Sequence, residues 1–140
     1  MDLFCGTGSL GIEAISRGAK YCQFVDKSCE SVMTNTHLLE HNTYNIVKGD
    51  FFKITTSLIK GVDIIFIDPP YGKYVSGYLL DCIANNELIK YNGIIVYEES
   101  DKYNFTYNSK NFSLLKTRIY GDTNIYILEA KVGDNISGDL

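Results

Sequence analysis

The tetrapeptide Asp68-Pro69-Pro70-Tyr71 places a carboxylate, two rigid prolines and an aromatic ring directly after the apolar run 62–67. This run predicts a strand buried on both faces, whose carboxyl end is where an open α/β sheet binds its ligands. Because the prolines fix φ and prevent a helix, the Asp68 carboxylate and the Pro69 carbonyl are expected to be fixed acceptors. Two such acceptors would orient an exocyclic amine, which is a poor nucleophile, for attack. The alternative is an ordinary Asp-Pro turn between a strand and a helix.

A glycine-rich turn near the amino terminus could bring backbone N–H groups to a cofactor. Residues 6–11 read G-x-G-x-x-G, and Asp26 follows at a distance suited to binding ribose hydroxyls. Sites for NAD, FAD and S-adenosylmethionine all use such turns, so the glycines alone do not separate them. Asp2 favours the last, because a carboxylate before the turn attracts a positively charged amino-acid moiety and repels a pyrophosphate.

Alternating strand and helix patterns predict a single α/β domain over residues 1–132, with a mostly parallel sheet and helices on both faces. Predicted strands cover residues 21–26, 44–48, 62–67 and 93–98. Predicted helices cover residues 9–17, 28–41, 51–60 and 75–85. Residues 112–120 and 123–131 flank Gly121-Asp122 and predict an antiparallel hairpin at one edge of the sheet. Residues 133–140 are polar and are expected to form a flexible tail.

Particular residues are expected to end these elements. Gly18 and Gly61 are predicted to close the first and third helices, and Ser28 is predicted to cap the second. Carboxylates at the ends of the first four strands should meet at one edge of the sheet, and they are Asp2, Asp26, Asp50 and Asp68. Asp50 could equally be a helix N-cap, and Asp2 could be a structural cap at the strand end.

Several segments together resemble the bacterial 16S ribosomal RNA guanine-N2 methyltransferases. The resemblance extends over nearly the whole chain, in the right order. It rests on the segment 2–14 (DLFCGTGSLGIEA), on Ser16-Arg17-Gly18-Ala19, on Val25-Asp26-Lys27, on Asp68-Pro69-Pro70-Tyr71 and on Tyr120-Gly121-Asp122-Thr123.

The resemblance implies a Rossmann-like class I methyltransferase fold. It also implies methyl transfer from S-adenosylmethionine to N2 of a guanine in 16S rRNA of the small ribosomal subunit, guanine 966 in this family. The catalytic residues would be Asp68, Pro69, Pro70 and Tyr71, of which Tyr71 would stack on the base. The cofactor would be bound by Asp2, Phe4, Gly6, Gly8, Asp26, Lys27, Asp50 and Phe51. The RNA would be contacted by Tyr71, Lys73 and Tyr74.

The charge of the chain is unusual for a protein that binds RNA. The formal net charge is −4 and the pI is about 5.1, whereas affinity for phosphates comes mainly from Lys and Arg. Either a ribonucleoprotein surface and a flipped base hold the RNA, or the basic surface lies on a segment absent here. Met1 falls within the expected first strand, so we expect a truncated first strand and a missing amino-terminal RNA-contacting arm.

Cysteine and histidine spacing gives no sign of a metal site, and none is expected. Cys5, Cys22, Cys29 and Cys82 lack a C-x-x-C spacing and are predicted to be reduced packing residues. The two histidines, His37 and His41, are four residues apart, but no third ligand is evident, which favours a solvated helix face. The sequence contains no signal peptide and no apolar stretch long enough to span a bilayer, so we expect a cytoplasmic protein.

Two other functions are compatible with parts of the pattern. The tetrapeptide alone would also serve methylation of another nucleobase amine, such as N6 of adenine in DNA. The glycine turn alone would also serve an NAD-dependent oxidoreductase or a non-catalytic nucleotide-binding module, although neither gives a reason for Asp68-Pro69-Pro70-Tyr71.

Overall fold

The computed structural model describes residues 1–132, which form one seven-stranded sheet with helices on both faces. The strands are β1 (Asp2–Leu3), β2 (Cys22–Asp26), β3 (Tyr44–Lys48), β4 (Val62–Ile67), β5 (Ile89–Ser100), β6 (Phe112–Tyr120) and β7 (Thr123–Ala130). The helices are α1 (Ser9–Ser16), α2 (Glu30–Thr36), α3 (Phe51–Ile54) and α4 (Ser76–Asn85), with 3₁₀ turns at His41–Thr43 and Thr55–Ser57. The predicted α/β class is therefore confirmed. The predicted tail 133–140 lies outside the described residues.

The strand order β3-β2-β1-β4-β5-β7-β6 brings the first four strands together, and β1 lies between β2 and β4. Pairing is parallel from β3 to β5 and antiparallel from β5 to β6. Asp2 pairs with Phe24 and Phe66, which places the carboxyl ends of these strands side by side. The predicted hairpin forms β6 and β7 and closes one edge of the sheet, as expected.

Apolar side chains pack on both faces of the sheet. On one face, Phe24 and Cys22 lie against α1, and Gly11 is required there because a Cβ would come within 2.4 Å of the Phe24 ring. On the other face, Leu79 and Ile83 of α4 pack on a larger core. All four cysteines are free, and Cys5, Cys22 and Cys29 are buried in the smaller core with Phe24 and Val32. The prediction that the cysteines are packing residues is confirmed for these three.

Two predicted helices are too long. The second spans only Glu30–Thr36, and its N-cap is Cys29 rather than Ser28. Ser28 is wrongly predicted as the cap, because the helical hydrogen bonds begin one residue later, with Met33 N donating to the Cys29 carbonyl at 3.0 Å. The third predicted helix becomes α3 followed by a 3₁₀ turn, since Thr55, Thr56 and Ser57 are poor helix formers.

The early part of β4 is more exposed than its apolar sequence predicts. Ile65 and Ile67 are buried, but Asp63 and Ile64 are exposed. Ile64 lines an open groove of about 620 Å³ that also includes Met1, Tyr21 and Ile59. The prediction that this strand is buried on both faces is therefore wrong for its amino-terminal half. Asp63 forms an ion pair of 2.6 Å with Lys90 at the start of β5.

Candidate active site at the carboxyl ends of the central strands

A cavity of about 420 Å³ opens at the carboxyl ends of β1, β2 and β4. This is the edge at which open α/β sheets bind ligands. Every residue that lines the cavity was named from the sequence, and the set is Phe4, Gly6, Asp26, Lys27, Asp68, Pro69, Pro70, Tyr71, Lys73 and Tyr74. The structure therefore brings together two motifs that are about sixty residues apart in the chain.

The glycine turn is held by backbone conformations that L residues rarely adopt. Gly6 has φ of 55° and Gly8 has φ of 80°. A Cβ on Gly6 would meet nothing within 4 Å, so this glycine serves the turn and leaves the cavity open. A Cβ on Gly8 would come within 2.6 Å of Val32 Cγ2, so Gly8 is required by packing as well. Gly8 contacts the second helix instead of lining the cavity.

Phe4 is strained for a residue with a side chain. Its φ is 56°, in the left-handed region that phenylalanine seldom occupies. This conformation places the Phe4 ring on the cavity wall, 5.3 Å from the ring of Tyr74 and 6.1 Å from that of Phe51. Phe51 itself is buried and supports Phe4 from the core. Backbone strain of this kind is characteristic of ligand-binding sites.

The carboxylate of Asp26 lines the cavity and is bonded directly to the glycine turn. Its Oδ2 accepts a hydrogen bond of 2.8 Å from Gly6 N, and its Oδ1 accepts a longer one of 3.4 Å from Ser28 N. Neighbouring Lys27 lines the cavity and approaches Asp50 Oδ2 at 3.9 Å. Asp50 caps α3 by accepting from Phe52 N at 3.1 Å, and it lies outside the cavity lining. The N-cap interpretation of Asp50 is thereby confirmed.

Asp2 is buried beneath the glycine turn rather than on the cavity wall. Its Oδ2 accepts a hydrogen bond of 3.0 Å from Gly11 N. Burial, opposed in part by this bond, raises the pKa of Asp2 to about 6. In this position the carboxylate ties the end of β1 to the start of α1 and so fixes the turn between them.

Asp68 lies next to a second carboxylate that the sequence analysis did not single out. Ile67 pairs with Tyr97 in the register of β4 and β5, so Asp68 and Glu98 follow on adjacent strands. Asp68 is exposed at the cavity, yet partial desolvation by the surrounding protein is the main cause that raises its pKa to about 6, and repulsion by Glu98 and a hydrogen bond with it add to the effect. The buried carboxyls of Asp2 and Glu99 raise this pKa further. Glu98 could have been found from the sequence, because it ends the predicted fifth strand 93–98 as the other carboxylates end theirs.

The ring of Tyr71 is held at the cavity mouth by the distant hairpin. Its hydroxyl lies 3.3 Å from Thr123 Oγ1, at the start of β7. Lys73 Nζ lies 5.5 Å from the centroid of the Tyr74 ring, an arrangement that favours a cation–π interaction. The Tyr120–Thr123 turn thus contributes to the site by positioning Tyr71.

The described residues show no arrangement for metal binding. Among residues 1–132, no cluster of three or more His, Cys, Asp or Glu side chains could hold a metal ion. His37 ends α2 and His41 begins a 3₁₀ turn, so the two exposed rings do not share a helix. No helix in this part of the chain is long and apolar enough to cross a membrane.

Comparison with known proteins assigns the chain to a family. It is 30% identical over 138 residues to the "Putative rRNA methyltransferase YlbH" of Bacillus subtilis, with 94% of this chain and 75% of that protein covered. It is 31% identical to the ribosomal RNA small subunit methyltransferase D of Buchnera aphidicola, with 91% and 68% covered. The solved "Putative methyltransferase yhhF from Escherichia coli" is 20% identical, with 94% and 75% covered, and superposes with a TM-score of 0.81.

These likenesses confirm the resemblance drawn from the motifs and the class I methyltransferase fold. The family described as "Conserved hypothetical protein 95" matches residues 1–129. The chain belongs to this family and is similar to ribosomal RNA small subunit methyltransferases D of other bacteria.

Proposed function

We propose that this protein transfers the methyl group of S-adenosylmethionine to the exocyclic N2 amine of a guanine in 16S rRNA, in the cytoplasm. The observation that carries the proposal is the position of Asp68. This carboxylate faces the same cavity as Asp26 and the glycine turn, so an amine acceptor and a cofactor site share one space. The relatives named as ribosomal RNA methyltransferases support RNA as the substrate.

The residues present fit S-adenosylmethionine. Asp26 Oδ1 has only a long bond to Ser28 N and is available to ribose hydroxyls. Open space around Gly6 allows a ligand to approach the backbone closely. The rings of Phe4 and Tyr74 provide an apolar wall against which a purine can pack. Asp2 would act through the turn that it anchors, and the second oxygen of Asp50 would be the acceptor for the adenine amine.

When bound, this cofactor supplies an electrophilic methyl group on a positively charged sulfur, which leaves as a neutral thioether. The protein's part is to prepare the amine. Ionised Asp68 and the Pro69 carbonyl would accept the two N–H groups, and the Tyr71 ring would stack on the base. Asp68 would then take the proton that the methylated amine releases. The raised pKa of about 6 suits this role near neutral pH, because the group is ionised yet still basic.

The target base has to leave its stack to reach this cavity. Nucleobase-modifying enzymes solve this problem by turning the base outward or by acting on unpaired nucleotides. Lys73 and Tyr74 line the same cavity as Tyr71 and would contact the RNA around the target.

Nucleoside analysis would test the proposal directly. Small ribosomal subunits that lack the modification are incubated with the protein and S-adenosylmethionine, and the digested RNA is analysed by mass spectrometry. We expect N2-methylguanosine. Asp68→Ala should lower the rate on the order of a hundredfold, as expected for loss of one preorganised polar group. Asp63→Ala is the matched control, because Asp63 lies at the other end of β4 and pairs with Lys90.

Other products would favour the alternatives. N6-methyladenine in DNA, with no modified guanosine, would show that the tetrapeptide serves another amine. Calorimetric titration with S-adenosylhomocysteine and with NAD separates the cofactor classes, and binding of NAD alone would overturn the proposal.

A further inference from the structure

Three exposed tyrosines from three separate segments lie close to one another in the fold: Tyr71 lines the cavity, Tyr103 packs on Gly72, and Tyr120 pairs with Thr123, which contacts Tyr71. Tyr71 is 46% exposed, Tyr103 is 45% exposed and Tyr120 is 59% exposed. We call these residues the tyrosine rim. Of these three residues, only Tyr71 has a role in the function proposed above.

Direct contacts hold the rim together. The Tyr71 hydroxyl lies 3.3 Å from Thr123 Oγ1, and Thr123 pairs across the hairpin with Tyr120. Directly paired residues of an antiparallel hairpin project from the same face, so Tyr120 and Thr123 lie on one side. The Tyr103 ring packs against Gly72, where a Cβ would come within 2.4 Å of the ring.

The backbone beneath the rim is also fixed. Asp101 N donates a hydrogen bond of 2.8 Å to the Asp122 carbonyl, which links the segment that carries Tyr103 to the hairpin turn. Tyr103 N donates one of 3.2 Å to the Ser100 carbonyl at the end of β5. The three rings are therefore presented from a connected set of turns, and binding to them would require little ordering of the chain.

Charge indicates which part of a nucleic acid this surface would bind. The chain has a net charge of −4, and the cavity lining contains only two cations, Lys27 and Lys73. Beside the rim, the acidic residues Asp101 and Asp122 offset the cations that are nearest in the chain, Lys102 and Arg118. Such a surface neutralises few phosphates, but aromatic faces stack on nucleobases of any sequence.

We propose that Tyr103 and Tyr120 stack on unpaired RNA bases that flank the target base held by Tyr71. This inference rests on the proposed function for the identity of the target. It makes single-stranded RNA, bound mainly through its bases, the partner of this surface. The Tyr120–Thr123 turn then has two roles, because it positions Tyr71 and also presents a stacking ring.

The test measures binding of the intact chain to a fluorescently labelled single-stranded oligoribonucleotide by anisotropy, without cofactor. Tyr103→Leu and Tyr120→Leu should each weaken binding roughly fivefold to a hundredfold, as expected for loss of one base–aromatic stack. Tyr103→Phe and Tyr120→Phe should bind like the unmodified protein, because the ring is kept. Tyr21→Leu is the matched control, since Tyr21 is 43% exposed but lines the groove at the opposite end of the sheet.

Salt dependence provides a second measurement. If about two phosphates are neutralised, raising salt from 50 to 200 mM should weaken binding only about sevenfold. A loss of a hundredfold or more would show that phosphate contacts dominate and would overturn the proposal. Equal binding by the leucine variants and the unmodified protein would also overturn it. So would binding to duplex RNA or to lipid vesicles that depends on the tyrosines and is as tight as binding to single-stranded RNA.

The two proposals fail separately. If N2-methylguanosine forms but the leucine variants bind RNA normally, the rim is refuted and the proposed function is kept. If the variants lose RNA binding but no methylated guanosine forms, the rim is supported and the proposed reaction is refuted. Thermal melting of each variant verifies that it is folded.

Discussion

Replacing Glu98 with glutamine should shift the pH dependence of methyl transfer. Glu98 is the neighbouring group that raises the pKa of Asp68 most, because its repulsion and its hydrogen bond follow only desolvation among the causes that bring this pKa to about 6. In the proposed reaction, ionised Asp68 is the acceptor for the amine, so the rate should rise with pH through this pKa. Glutamine keeps the size of the side chain, removes the negative charge and can donate a hydrogen bond to ionised Asp68. The pKa of Asp68 should therefore fall, and the rate should rise at lower pH.

The structure sets limits on the size of this shift. With a pKa of about 6, Asp68 is ionised in roughly 90% of molecules at pH 7 and in roughly 10% at pH 5. If the pKa fell to the model-compound value of 3.8, ionisation at pH 5 would exceed about 90%. Desolvation remains in the variant, so the shift should be partial. We divide each protein's rate by its own rate at pH 8. This normalised rate should be about two- to tenfold higher for Glu98→Gln than for the unmodified protein at pH 5, and similar for the two at pH 7.

Single-turnover methyl transfer to small ribosomal subunits, measured between pH 5 and 8, would follow this shift. Single turnover avoids a contribution from product release. Asp2 also has a pKa of about 6, so the acidic limb by itself does not identify Asp68. The difference between variant and unmodified protein does identify it. Glu87→Gln is the matched control, because Glu87 pairs with Lys60, away from the cavity lining. An unchanged profile for Glu98→Gln, or a shift to higher pH, would refute the reasoning.

Three other changes should have distinct effects. Asp26→Ala should weaken S-adenosylhomocysteine binding by roughly 1 to 3 kcal/mol in calorimetry, because hydrogen bonds to a charged group are lost, and unchanged affinity would remove the ribose assignment. Gly8→Ala should lower the free energy of unfolding by roughly 2 kcal/mol or more in urea titrations, since φ is 80° and the new Cβ would meet Val32. The control Gly18→Ala should lower it less, because its Cβ would meet nothing within 4 Å, and equal losses in the two variants would contradict the packing argument. If stacking of the Tyr71 ring matters more than the bond to Thr123, Tyr71→Phe should keep most of the methyl-transfer rate and Tyr71→Ala should lose it. Equal rates for the two variants would contradict a stacking role for Tyr71.

The residues at strand ends could be predicted because local patterns specify them. The apolar run 62–67 and the prolines after it fix the end of β4, and the glycines fix the turn before α1. A parallel α/β sheet then brings its strand ends to one edge. These local facts predict that Asp68, the glycine turn and Asp26 share one edge, whereas Phe4, Lys27, Lys73 and Tyr74 of the lining were indicated by the family resemblance.

Helix lengths were less predictable because they depend on packing. Residues 37–41 could extend α2 by propensity, yet the helix ends at Thr36, whose hydroxyl bonds to the Val32 carbonyl at 2.7 Å. Helices of this length gain most of their stability from tertiary contacts rather than from sequence propensity. The sequence therefore predicted that the helices exist, and packing determined where they end.

Tertiary structure alone decided how distant side chains combine. The register of β4 with β5 places Glu98 beside Asp68, and the hairpin brings Thr123 to Tyr71. Long-range register arises from the packing of the whole sheet, so no local pattern reveals it. The sequence by itself determined the chemical groups of the site, while the fold determined which of them share a proton, a hydrogen bond or a surface.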